Sequence, residues 1–235
     1  MTEVEPKPTP PRRRILLGIS VALLVGVLGL FAWARVALQP QTFDVVSIAS
    51  LEPYQDPALL ERAWALPVAQ TYGPAQLQYQ PKVSYCGPTS LANVESSLGE
   101  AATPASILDG SGTCWSGQCI PGLTLDELAA LARAQTGREV AVLRDLSLDE
   151  FREHMRQTND PRVRYTINFL RGPLFREGGG HHSPIGGYLE DEDLVFVLDV
   201  NVNFGPWLVD TQRLFAAMDT LDGSSDRKRG LLRIE

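Results

Sequence analysis

The chain has 235 residues, with 21 Lys/Arg against 28 Asp/Glu and a formal net charge of −7. Residues 1–35 hold five of the basic and two of the acidic side chains, so residues 36–235 carry 16 against 26, a formal charge of −10. A body this acidic argues against a nucleic-acid partner and against general adhesion to anionic lipid, and its length suits a single domain.

Residues 1–14, MTEVEPKPTPPRRR, read as a proline-rich tail closed by three arginines. Residues 15–34, ILLGISVALLVGVLGLFAWA, contain no charge and no proline, and ~20 apolar residues suffice for one helical crossing of a bilayer. The flanking arginines place the N-terminus on the cytoplasmic side and the body across the inner membrane, in the periplasm. Ala32-Trp33-Ala34 also fits a signal-peptidase site, so a body released after Ala34 is the competing reading. An uncleaved anchor is preferred, because the apolar run exceeds the ~7–15 residues of a signal peptide's core. Residues 35–60 read as a linker and lead-in, and 61–235 as the folded domain.

In QYQPKVSYCGPTSLANVESSLG, Pro88 suits a helix's first turn, and Leu91, Val94 and Leu98 recur at helical spacing before Gly99. Cys86 therefore stands at a helix N-terminus, where the partial positive charge favours a thiolate. A buried structural thiol is the alternative. Cys114 and Cys119, in the loop SGTCWSGQC, form a candidate disulfide. Two cysteines without a nearby histidine make a poor zinc site.

Further along, Thr124-x-x-Glu127 and Ser147-x-x-Glu150 are capping boxes that open two helices. His154 lies in the second as a partly exposed helix residue. Strands are expected at 139–144, 163–170, 183–189, 194–200 and the terminal LLRIE, with a helix capped by Asp210. Helices gather early and strands late, which gives an α+β class: a helical subdomain packed on an antiparallel sheet, preceded by one transmembrane helix.

His181 and His182 are adjacent, so on a strand only one of them can face a given cleft. If the turn between SPIGGYL and LVFVLDV centres near Glu190, His181 lies across the ladder from Asp199. A shifted register or a bulge would select His182 instead. A carboxylate at the inner end of an apolar run needs a partner, and a ring N–H supplies one. Asp199 would orient His181, and His181 would hold Cys86 as thiolate. Gln80, six residues before Cys86, could donate with the Cys86 N–H to a developing oxyanion. The order Gln, Cys, His, Asp is that of papain-like thiol acyl transferases.

Cys86-Gly87 before a helix, RGPLFREGGGHHSPIGGY, LVFVLDV and LFAAMDTLDGSSDRKRG together resemble the phytochelatin synthase family, papain-like cysteine enzymes that act on glutathione. The likeness runs from about Leu66 to the C-terminus and covers the catalytic half alone. It implies a papain-like cysteine protease fold, Cys86 as nucleophile, His181 as base, Asp199 as the acidic member and Gln80 as oxyanion donor. His182 then stands where the family has an aromatic residue. Asn168, Asp222, Arg229 and Gly180 would hold the γ-glutamylcysteinyl moiety. The family's VARxKYPP after the aspartate is replaced by the shorter VNVNFGPW, which lacks the arginine used with a second substrate.

The resemblance implies glutathione as partner and cleavage of its Cys–Gly bond through an acyl-enzyme, with hydrolysis ahead of phytochelatin synthesis. No cofactor is required, and Cd or Zn would enter as thiolate complexes of the substrate. The competing readings are a papain-like peptidase acting on exported peptides and a non-enzymatic periplasmic metal-binding protein using His181, His182 and the cysteines. A homodimer is compatible with the sequence.

Overall fold

The computed structural model describes residues 12–37, 42–112 and 122–235. Cys114 and Cys119, the candidate disulfide, lie outside the described residues. Two compact units divide the chain, one ending at Gln41 and the other running from Thr42 to Glu235. In the first, α1 (Arg12–Ala37) is a continuous helix. Its stretch Ile15–Arg35 has a mean hydropathy of 2.7 and is covered by nothing. Apolar all round, it is built for lipid or for a signal sequence rather than for an aqueous surface.

In the second unit, chain order gives α2 (Pro57–Trp64), α3 (Pro67–Tyr72), α4 (Cys86–Ser97), α5 (Pro104–Leu108) and α6 (Leu125–Thr136). Next come β1 (Val140–Leu143), α7 (Leu148–Gln157), β2 (Arg164–Leu170), α8 (Gly172–Phe175), β3 (Gly180–Leu189) and β4 (Leu194–Val197). The chain closes with β5 (Trp207–Asp210), α9 (Thr211–Met218), β6 (Leu221–Asp222), β7 (Arg227–Lys228) and β8 (Gly230–Ile234). Both expected capping boxes form, Thr124 with Glu127 and Ser147 with Glu150, each satisfying two otherwise orphaned N–H groups.

The class is α+β. A six-stranded antiparallel sheet runs in the order β1-β8-β2-β3-β4-β5. One face packs on the helical layer of α2–α6, through Phe196, Leu198, Leu208 and Leu232. The other carries Ile167, Phe169, Val195, Val197 and Trp207 against α7 and α9. The sheet is therefore covered on both sides, one layer more than expected. The strand at 207–210 was not anticipated, because a four-residue WLVD after Gly-Pro offers too short an alternation to read.

Residues 42–60 are not a linker. Phe43 lies so close to Gly172 that a Cβ there would fall 2.1 Å from its ring. Ile48 is buried, and Tyr54 stacks on Trp207. Their apolar residues pack singly rather than along one helix or strand face, so no periodicity betrays them.

The β3–β4 register decides which histidine meets Asp199. Near the turn the pairs are Leu189↔Leu194, Tyr188↔Val195 and Gly187↔Phe196, but farther in the pair is Ile185↔Val197. Gly186 is the extra residue of a β-bulge. Extended without the bulge, the outer register would align Asp199 with Pro184, on the face of His182. The bulge slips it by one, onto the face of His181. The sequence expectation reached the right face through a turn centred one to two residues too early. Only glycine fits at 186: a Cβ would lie 2.8 Å from Phe196 Cδ1 and 3.1 Å from Leu198 Cγ. Gly186→Ala is therefore expected to lower stability by about 1–3 kcal/mol through forced repacking, read by thermal unfolding of the detergent-solubilised chain. An unchanged midpoint would contradict the close approach.

Candidate active site

Cys86 opens α4, a helix buried along almost its whole length because it lies between the sheet and its neighbouring helices. Small residues allow the fit; a Cβ on Gly87 would already press on Leu128 at 3.1 Å. Two polar side chains of α4 fasten the backbone around Cys86. Ser90 donates to the Cys86 carbonyl at 2.7 Å. The Asn93 carboxamide pairs both ways with the backbone of Gln78, at 2.8 and 2.9 Å. That pairing ties the segment leading to Cys86 onto the helix.

The thiol of Cys86 is buried, which by itself raises its pKa, but its other surroundings outweigh burial and the net direction is down. The hydrogen bond and charge of His181 contribute most, followed by the backbone N–H groups of His182 and Gly87. Here the start of the helix and the edge of β3 converge on one sulfur, so both halves of the fold stabilise the thiolate.

His181 sits beside Phe169, its cross-strand partner. Its Nε2 is 3.0 Å from Asp199 Oδ1, which leaves Nδ1 for the thiol. Burial disfavours the imidazolium, yet Asp199 and Cys86 raise the His181 pKa above its ordinary 6.5. Asp199 is fully buried. Burial pushes its carboxyl up, but His181, Arg171 and Trp207 hold it at about 2. One Arg171 Nη2 bridges both oxygens at 2.8 and 2.7 Å, Trp207 Nε1 donates at 3.0 Å, and the Asn201 N–H donates at 2.9 Å.

His182 is turned to the other face. Its Nε2 donates to the Leu123 carbonyl at 2.8 Å, and the Asn168 carboxamide lies 2.7 Å away. Burial holds its pKa down at about 4, so it stays neutral. With their rings on opposite faces, His181 and His182 do not converge on one ion. Among the described residues no group of three or more His, Cys, Asp or Glu is arranged to hold a metal.

Gln80 is anchored by its N–H to the Val200 carbonyl at 2.8 Å, beside Asp199. Its side-chain amide donates to the Val83 carbonyl at 3.2 Å. The four residues expected to hold substrate lie together. Asn168 pairs with Gly230 in the ladder, next to Arg229. Arg229 is 3.7 Å from Asp222, and a Cβ on Gly180 would press on its Nη2 at 3.0 Å. Asn168 Oδ1 and Arg229 Nε are buried without a hydrogen-bond partner among the described residues.

Arg171, Trp207 and Tyr54 were missed as site residues. A lone arginine reads as surface charge, and Tyr54 lies in the segment read as linker. The only signal was positional, the place of Arg171 in RGPLF and of Trp207 after the aspartate.

A phytochelatin synthase family model matches residues 44–231. Glutathione γ-glutamylcysteinyltransferase of Schizosaccharomyces pombe is 31% identical over 117 residues, 48% of this chain and 28% of that protein. The corresponding enzyme 1 of Arabidopsis thaliana is also 31% identical over 117 residues, 24% of its own length. The match thus spans about a quarter of these relatives. Among solved structures, the peptidase domain of Streptococcus ComA aligns over 67% of this chain and 94% of its own, at 16% identity and a TM-score of 0.46. A putative C39-like peptidase of Bacillus anthracis aligns over 68% and 93%, at 12% and 0.48.

Asp199→Ala leaves Arg171 buried without its anion and is expected to cost about 3–5 kcal/mol, read by urea unfolding at neutral pH. Arg171→Met in the same chain should recover part of the loss. The pH dependence has two arms. The Asp199 pKa is depressed on folding, so its contribution is present above about 3.8 and lost as pH falls toward about 2. The His181 pKa is raised, so its contribution is full below about 6.5 and fades as pH climbs through the raised value.

Proposed function

The chain belongs to the phytochelatin synthase family, and on that premise we propose that it cleaves the Cys–Gly bond of glutathione through a γ-Glu-Cys acyl-enzyme on Cys86. The observation that carries the reading is the buried relay from the Cys86 thiol through His181 to Asp199 at the start of α4.

In this reading the thiol proton passes to His181 and the thiolate attacks the carbonyl carbon of the Cys–Gly amide. The C–N bond then breaks, His181 gives its proton to the departing glycine amine, and the thioester remains. Water, deprotonated by His181, attacks the thioester and releases γ-glutamylcysteine, while the proton returns to the thiolate. Asp199 keeps the imidazole in the required tautomer throughout. The Cys86 N–H, with the Gln80 amide turned from Val83, would meet the oxyanion.

Arg229 would take the substrate's free α-carboxylate and Asp222 its α-ammonium, replacing their contact with each other. Asn168, with its free Oδ1, and Gly180 complete that pocket. The segment after Asp199 lacks the arginine linked with a second substrate, which favours water over a second glutathione. The reaction as written needs no cofactor, and Cd or Zn would participate as thiolate complexes of glutathione. The apolar α1 is read as an uncleaved anchor, with the catalytic body on the periplasmic side.

The test is glycine release from glutathione by the full chain in detergent. Expected are γ-glutamylcysteine as the main product, little oligomer, and loss of release in Cys86→Ala. Arg229→Ala should raise KM by roughly 10- to 100-fold, the worth of a charged hydrogen bond. Absence of release, or its persistence in Cys86→Ala, overturns the reading. Equal activity on Ala-Cys-Gly, which lacks the γ-linkage, would point to a peptidase instead.

A further inference from the structure

The relay described above does not end at Asp199. Arg171 follows β2 and reaches back so that a single Nη2 straddles the Asp199 carboxylate at 2.7 and 2.8 Å. Both partners are withdrawn from water, with side chains 8% and 0% exposed. The other terminal nitrogen, Nη1, is buried and has no hydrogen-bond acceptor among the described residues. Ring faces surround it instead. The guanidinium carbon lies 3.9 Å from the Phe204 ring centre, 5.5 Å from that of Phe175 and 5.6 Å from that of Phe169. Phe204 belongs to VNVNFGPW, the segment that departs from the family pattern.

Two physical needs meet at His181. Its ring must be basic enough to hold the thiol's proton, yet acidic enough to surrender it to the departing amine. A buried, uncompensated carboxylate at 3.0 Å would satisfy only the first. A fixed cation on the far side of that carboxylate weakens its field at the imidazole and also prevents it from turning away.

We propose that Arg171, clamped by Phe204, is the positioning residue that fixes Asp199 and limits how tightly His181 keeps its proton. The proposal rests on Cys86 being the nucleophile and is indifferent to which amide is cleaved. Among the described residues, the charged and titratable groups that bear most on His181 are these. Asp199 and Cys86 favour its cation and Arg171 opposes it. His182 is held neutral by burial. Tyr54, near both Asp199 and Arg171, has its pKa pushed up to about 12, by burial first, and stays protonated.

The test follows the pH dependence of Cys86 alkylation by iodoacetamide, located by peptide mass spectrometry, alongside glycine release, in the full chain in detergent. In Arg171→Met the upper inflection of both profiles, which reports His181, is expected to move up by about one pH unit. Its kcat should fall roughly 10- to 100-fold while KM changes less than about threefold. Arg171→Lys keeps the charge and should hold the inflection near the wild-type position. Phe204→Ala keeps the arginine but opens it to water, and should move the inflection in the same upward direction. If the Arg171→Met inflection coincides with wild type, or Arg171→Lys shifts it equally, the proposal is overturned. If Arg171→Met does not fold, Phe204→Ala decides by the same criterion. A wild-type Cys86 that alkylates like an ordinary thiol would overturn the nucleophile reading and this proposal together. A normal wild-type profile with an unmoved variant overturns only the role of Arg171.

Discussion

Asp199 carries its charge with none of its surface exposed to solvent, and the surrounding architecture supplies donors to that one carboxylate. Burial alone would protonate it. Instead Arg171 arrives from the end of β2, His181 from β3, Trp207 from β5 and a backbone N–H from Asn201. Three strands and the β4–β5 loop are thereby committed to one point. Tyr54 closes the back of the cluster by stacking on Trp207, which explains why the segment before α2 belongs to the body.

The other constraint is parity in β3. A strand offers its side chains to alternate faces, so the site depends on an odd or even count of residues between the β3–β4 turn and the histidine pair. Gly186 adds the residue that sets this count, and Phe196 and Leu198 leave it no room for a side chain. His181 then shares a face with Asp199. His182 instead presents its ring to Leu123 and Asn168 and its N–H to the Cys86 sulfur. Two adjacent histidines thus receive opposite electrostatic surroundings, one favouring the cation and the other forbidding it.

The Cys86 sulfur lies where two scaffolds meet. α4 supplies the helix start and, through Asn93, fastens the preceding segment at Gln78. The sheet end supplies His181 and Asp199. Groups from both scaffolds lower the thiol's pKa against the cost of burial, and the helical layer and the sheet must be docked before the relay exists. The charged pair Arg229 and Asp222 lies on the segment that enters β8, one strand removed from β3 across β2.

From the chain alone one can read the apolar helix, the two capping boxes, the strands around SPIGGY and LVFV, and Cys86 at a helix start. These rest on local period and on turn and cap chemistry, which survive without tertiary context. The pairing of His181 with Asp199 was legible only as a choice between two histidines, because alternation defines two faces but not which of them a bulge will select. Arg171, Trp207 and Tyr54 were invisible as site residues, since each depends on a contact across many residues with no repeating pattern. The donors gathered around Asp199 and the register of the strands, both properties of the assembled sheet, decided that a buried carboxylate just past an apolar strand would be charged and which ring it would hold.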